Sequence, residues 1–336
     1  MNKLSKLGVS ALCGSLAAIS AANAGDLTVT GGADMTWISK SEDVTGNPLG
    51  IGSNFGLIGS GELDNGWTVG LSIAHTNAGA FSTTNVDIGV PGFGNIKVAQ
   101  GVSGTGIQRL DDITPTVWEE ADGAGISAGI NKIAGTSAGG TIELSGLEAM
   151  PAGLDVKFAY SADADSGAAA DKGAGGSSGV LGSGWDLTAS AGSDLHGVDG
   201  LTVYAGMSEV DQQVNAATYS GDVEETVYGI KYAMGSFTAG YQVTNEDTGQ
   251  TAVTEYKNTT YGITFSVNDD LSIGYGHTES DSSGGAADPE ADAYQIAYTM
   301  GGASIRIAEV DVANASYSTA SSADKDGTVI SLGLAF

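Results

Sequence analysis

Eleven residues, Leu27 to Trp37, alternate without a break. Leu27, Val29, Gly31, Ala33, Met35 and Trp37 share one face of an extended chain, and Thr28, Thr30, Gly32, Asp34 and Thr36 share the other. Eleven residues at period two match a strand tilted across a bilayer. The pattern returns along the chain and ends on Ile330, Leu332, Leu334 and Phe336. An apolar strand that stops on an aromatic suits a membrane interface better than water, where chain ends fray. After the first 24 residues no stretch approaches 18 continuous apolar residues, which excludes helical spans and leaves a β-barrel open.

Sixteen strands of this kind are read along the chain. The connections between them are of two kinds. Asp64-Asn-Gly66, Gly235-Ser236, Asn268-Asp-Asp270 and Gly301-Gly302 are tight turns after even-numbered strands, the stretch near 192–200 being longer. Connections after odd-numbered strands are mostly longer, polar and acidic, the longest running from about 101 to 140. Short turns on one rim and long loops on the other describe an outer-membrane barrel. All five prolines fall between strands, as a closed ladder requires. Trp37, Tyr160 and Tyr275 near the loop side, and Trp67, Tyr232, Phe237 and Phe336 near the turn side, resemble two interfacial girdles. A soluble sandwich or solenoid accounts for any single strand but not for this regular alternation, and no Gly-Gly-x-Gly-x-Asp repeat occurs. The expected fold is therefore all-β: an antiparallel transmembrane barrel of sixteen strands. The number becomes fourteen or eighteen if the count errs, for example if 125–133 pairs as an extra strand.

Residues 1–24 read as a secretory leader, with Lys3 and Lys6 at its start, an apolar run from Leu7 to Ala21, and Ala22-Asn23-Ala24 as a cleavage site. The barrel domain is then 25–336. Cys13, the single cysteine, falls inside the leader, so the mature chain has no disulfide, thiolate nucleophile or cysteine metal ligand. With the two leader lysines removed from 12 basic residues, 10 remain against 40 acidic, a net charge of −30. Nucleic acid and anionic lipid surfaces are poor partners for such a field.

Enzymatic readings find little support. Gly125-Ile-Ser-Ala-Gly129 has the letters of a hydrolase nucleophile elbow, but no helical pattern follows it, and 53 glycines make chance matches common. His75 and His277 sit at loop-side strand ends and His196 on the opposite rim, so no catalytic triad with Ser127 is expected. There is no phosphate loop, His/Cys cluster or EF-hand spacing. No catalytic residue, metal or cofactor is expected.

Val90-Pro-Gly-Phe-Gly-Asn-Ile-Lys-Val98 resembles the turn and fifth strand of Gram-negative general porins, where a Gly-x-Phe-Gly-x-hydrophobic element precedes the constriction loop. Leu110-Asp-Asp-Ile-Thr-Pro-Thr-Val-Trp-Glu-Glu120 is similar to that loop in alphaproteobacterial porins. The resemblance implies a homotrimer of water-filled barrels in the outer membrane, each narrowed by an inward-folded third loop. It also implies passive diffusion of ions and small hydrophilic solutes, with Phe336 read by the barrel assembly machinery. The alternative is a secreted or surface-exposed acidic β-rich binding or structural protein.

If apolar residues face lipid, period two turns their neighbours into the lumen. Lys97, Lys157, Lys231 and Arg306 then line the wall, with Asp34, Glu62, Glu143, Asp155 and Asp186. The third loop contributes Arg109, Asp111, Asp112, Glu119, Glu120 and Asp122. Acidic loop opposite basic wall would set a transverse field across a constriction, the usual arrangement in the resembled porins. The net negative charge favours cation passage.

Overall fold

The computed structural model describes residues 24–40, 49–63, 65–76, 81–100, 104–137, 140–165, 180–213, 218–253 and 255–335. Most of the leader and Phe336 lie outside the described residues. Sixteen strands follow one another: β1 (Ala24–Lys40), β2 (Leu49–Glu62), β3 (Thr68–Thr76), β4 (Phe81–Val90), β5 (Gly94–Gln100), β6 (Gly140–Ser145), β7 (Leu154–Ser161) and β8 (Leu181–Ala191). Then come β9 (Leu201–Gln212), β10 (Val223–Met234), β11 (Phe237–Asp247), β12 (Glu255–Ser266), β13 (Leu271–Ser282), β14 (Glu290–Met300), β15 (Ala303–Ala313) and β16 (Lys325–Ala335). Each pairs antiparallel with its sequence neighbours, and β16 closes on β1 from Gly32↔Ala335 to Lys40↔Gly327. Closure satisfies every strand edge, which a sheet inside hydrocarbon must do.

The strand count agrees with the sixteen read from the alternation. The stretch 125–133 is irregular loop, so the barrel gains no extra pair there. Two-residue turns join β10 to β11 and β14 to β15, and four residues join β12 to β13. The connection after β6 is longer, running from 146 to 153.

Leu57, Leu71, Ile230, Ile263, Ile296, Ile305 and Leu334 stand on the outer face, and most of them are exposed in the isolated barrel. In lipid that exposure costs nothing. Aromatic rings meet across the same face, Phe237 on Phe265 at 4.5 Å and Tyr275 on Tyr294 at 5.0 Å. Pairs of this kind add to ladder stability, at roughly 0.5–1 kcal/mol each.

Several strands run further toward the loop side than the apolar pattern indicates. β10 starts at Val223, whereas its apolar alternation starts at Tyr228. Beyond that level the pattern inverts. Glu224 on β10, Asp292 on β14 and Glu309 and Asp311 on β15 occupy the outward register. Val227, Ala291, Ala293, Val310 and Val312 are buried on the inner face. The ladder here has left the hydrocarbon, so acids are tolerated outside. The inner face is apolar because the long third loop packs on it. The largest buried apolar cluster of the described residues joins loop residues Ala121, Ala124, Ile126 and Ala128 to β14, β15 and β16. The hydrophobic core of this protein thus lies inside the barrel, between loop and wall.

Candidate functional site: a loop-narrowed lumen

The third loop descends from β5 into a short 3-10 turn, Gly106–Leu110. Ile107 and Leu110 bury themselves with Ile133, Tyr204 and Val227. Ile107 is fully buried, which contributes about 2 kcal/mol to holding the loop down. The chain then crosses toward β14, where Gln295 accepts from the Trp118 amide at 3.1 Å and donates to the Glu119 carbonyl at 2.5 Å. The return leg passes β12, where Asn258 donates to the Asn131 carbonyl at 2.7 Å. Hydrogen bonds thus hold the loop from β6 to β14 and again at β16, where Lys325 donates to the Ser127 carbonyl, and apolar contacts join it to β14, β15 and β16. Among the described residues none of these anchors falls on β1 to β5, so the lumen is open along that side.

Three wall carboxylates take backbone N–H groups from the loop. Glu143 accepts from Gly106 at 2.8 Å. Asp186 accepts from Ile107 at 3.2 Å and from the Thr136 amide and hydroxyl at 3.2 and 2.7 Å. Glu225 accepts from Ala134 at 2.9 Å and Gly135 at 2.8 Å. Glu143 and Asp186 are legible as inward residues from their apolar neighbours. Glu225 is not, because it lies in the inverted part of β10.

Of the expected loop residues, Asp111, Asp112, Glu120 and Asp122 converge on one cation that sequence reasoning missed, Lys132. Its ammonium lies 2.6 Å from Asp112, 3.0 Å from Asp122, 3.7 Å from Asp111 and 4.0 Å from Glu120. Asp111, Glu120 and Asp122 point behind the loop, toward Gln242, Thr244 and Thr260 of the wall. Asp112, by contrast, is 61% exposed, and Glu119 is exposed too. Burial pushes the Asp111 carboxyl up to about 7, against the pull of Lys132. Burial likewise raises Glu120 to about 8, opposed by its hydrogen bond to Thr114 and by Lys132. Burial alone would lower the Lys132 ammonium, but the charges of Asp122 and Asp111 outweigh it and raise it overall. The only sequence hint of this cage was five acids in the twelve residues 111–122 with a lysine ten further on.

The remaining cations are mostly paired. Arg109 bonds Glu143 and donates to the Gly106 carbonyl at 3.1 Å. Lys97 lies 3.8 Å from Asp87 and opposes Glu143 across the ladder. Lys157 pairs with Asp155. Arg306 stacks over the Trp118 ring of the loop at 5.3 Å. Lys231 stands near the turn-side end of β10, with no ion pair among the described residues. The Asp34 side chain lies outside the described residues, and Glu62 is exposed at the turn-side end of β2.

Ser127 sits in irregular loop, with its carbonyl accepting from Lys325 at 3.1 Å. His75 stacks on Phe55 and His277 on Tyr261, all in outward register.

Comparison with known proteins agrees with this geometry. The sequence profile described as Gram-negative porin matches residues 8–302. No curated protein matches the sequence. Among solved structures, the chain is similar to an anion-selective porin from Comamonas acidovorans, at 13% identity and TM-score 0.66, covering 93% of this chain and 99% of that one. It is similar to Salmonella typhi OmpF in complex with daunomycin, at 12% identity and TM-score 0.68, covering 93% and 98%. A mutant of the Rh. blastica porin is similar at 14% identity and TM-score 0.56, covering 93% and 100%. At such identities the likeness establishes the fold.

Proposed function

The chain belongs to the Gram-negative porin family and forms an outer-membrane channel for diffusion, and from that premise we propose that it is a cation-preferring pore constricted by its third loop. The observation that carries the sign is which charges of the loop and wall stand exposed. Arg109, Lys97 and Lys157 each face a carboxylate, at Glu143, Asp87 and Asp155. Asp112, although it meets Lys132, is 61% exposed on the loop, and Glu119 is exposed there too. The charge that passing ions meet is therefore mainly negative, and cations gain from it. Fold alone does not set this sign, since an anion-selective porin shares the architecture. Solutes pass by size and field rather than by a binding motif. The reading includes no catalysis and no cofactor. Planar-bilayer recording in a salt gradient tests it: a reversal potential of cation-preferring sign is expected, and clear anion preference overturns it.

Three further assignments accompany this reading. The active form is a homotrimer in outer-membrane lipid. Residues 1–24 are removed on export. Phe336, with the outward residues Ile330, Leu332 and Leu334, addresses the chain to the barrel assembly machinery. Deletion of Phe336 is expected to lower outer-membrane yield while leaving the conductance of assembled pores unchanged; normal yield counts against it.

A further inference from the structure

Glu143, Ala159, Asp186, Ser208 and Glu225 stand opposite one another in a single register row across β6 to β10. Carboxylates alternate with small residues along it. Neighbouring strands lie about 4.8 Å apart, so the acids are spaced by about 10 Å, and each keeps its own set of donors. All three side chains are nearly fully buried. Five backbone N–H groups of the loop point at them, from Gly106 and Ile107 on the descending leg and Ala134, Gly135 and Thr136 on the returning leg.

We propose that this row is the receptor that sets the position of the constriction loop, with Asp186 as its positioning residue because it alone holds both legs. The proposal rests on the channel reading. Hydrogen bonds from backbone N–H to a buried carboxyl are shielded from the lumen, so losing one leaves a buried polar group unsatisfied. The loop is shaped to meet them. Gly106 and Gly135 both hold φ +54°, where a side chain is strained, and an added Cβ would lie 1.6 Å and 2.5 Å from Asp186 oxygens. Two glycines thus let both legs close on one carboxylate. Pore size then depends on a residue of β8 that does not itself line the open passage.

The test compares wild type with Asp186→Ala, Asp186→Asn and Gly135→Ala, which crowds the carboxylate from the loop side. Glu209→Gln, on the outer face of the same level, is the control. Heat-modifiable gel migration reports the barrel, liposome swelling with sugars of graded size reports the cut-off, and single-channel recording reports open-channel noise. Folded Asp186→Ala and Gly135→Ala pores are expected to admit larger sugars severalfold faster, with raised noise and Asp186→Asn intermediate. Wild-type cut-off and noise in every folded variant would overturn the proposal. If Asp186→Ala does not fold, Asp186→Asn and Gly135→Ala decide by the same readouts. A wild-type protein without conductance would sink the channel reading instead.

Discussion

Lys132 shows how one side chain can govern a loop. It gathers four carboxylates, three of them almost wholly buried behind the loop. Lys132→Met would leave those acids without their cation, a loss of order 2 kcal/mol in loop anchoring after allowance for partial exposure. Trypsin treatment of the native barrel checks this: cleavage after Arg109 is expected in the variant and not in wild type. The cage also predicts a pH dependence. Asp111 and Glu120 bind their protons more tightly in the docked loop than in a solvated chain. Docking is therefore strongest below the ordinary carboxyl range of about 4, and it weakens as pH rises until both groups are ionised, above about 8. Lys132 stays charged throughout this window and adds no slope of its own. Open-channel noise should accordingly be greater at pH 9 than at pH 5. Glu120→Gln, which cannot ionise, should flatten that difference, and an undiminished pH response in it would refute the assignment.

At the scale of the strand, alternation is read correctly only when its phase is allowed to invert. On β12 the pattern is simple: Ile263 faces outward between Tyr261 and Phe265, and Thr264 faces the lumen. Ile263→Arg should cost about 2–4 kcal/mol of barrel stability, as a charge near the bilayer midplane does. Thr264→Arg should leave stability nearly unchanged and shift ion selectivity instead. Denaturant unfolding in lipid, paired with bilayer recording, separates the two. On β10 the pattern inverts above Tyr228, and Glu225 was hidden from sequence reasoning for that reason. A buried valine at Val227 and an outward Glu224 read as loop unless the third loop is known to cover the inner wall.

For the whole molecule, the balance of charge matters more than its total. A net charge of −28 for the full chain says little about the passage, because many acids stand on outward ends of strands or behind the loop. Asp112 and Glu119 are the acids of the constriction loop most open to the lumen, with Asp112 61% exposed. Neutralising both, as Asp112→Asn with Glu119→Gln, should lower the cation-to-anion permeability ratio about twofold or more, read as a shift in reversal potential. An unchanged ratio would move the selectivity away from the loop. The barrel itself should be indifferent, since both side chains are exposed and neither belongs to a strand of the ladder.

Sequence by itself determined the barrel: strand number, the outward face, short turns opposite long loops, and the inward register of Lys97, Glu143, Lys157 and Asp186. It could do so because period two and the apolarity of lipid are local constraints, repeated in every strand. Only the tertiary structure decided what the inward charges do. Lys132 meets Asp111 and Asp122 because the loop turns back on itself, and Asp186 meets residues at 107 and 136 because two distant legs arrive together. Those contacts join positions from 10 to 79 residues apart that share no period, so no pattern along the chain announces them.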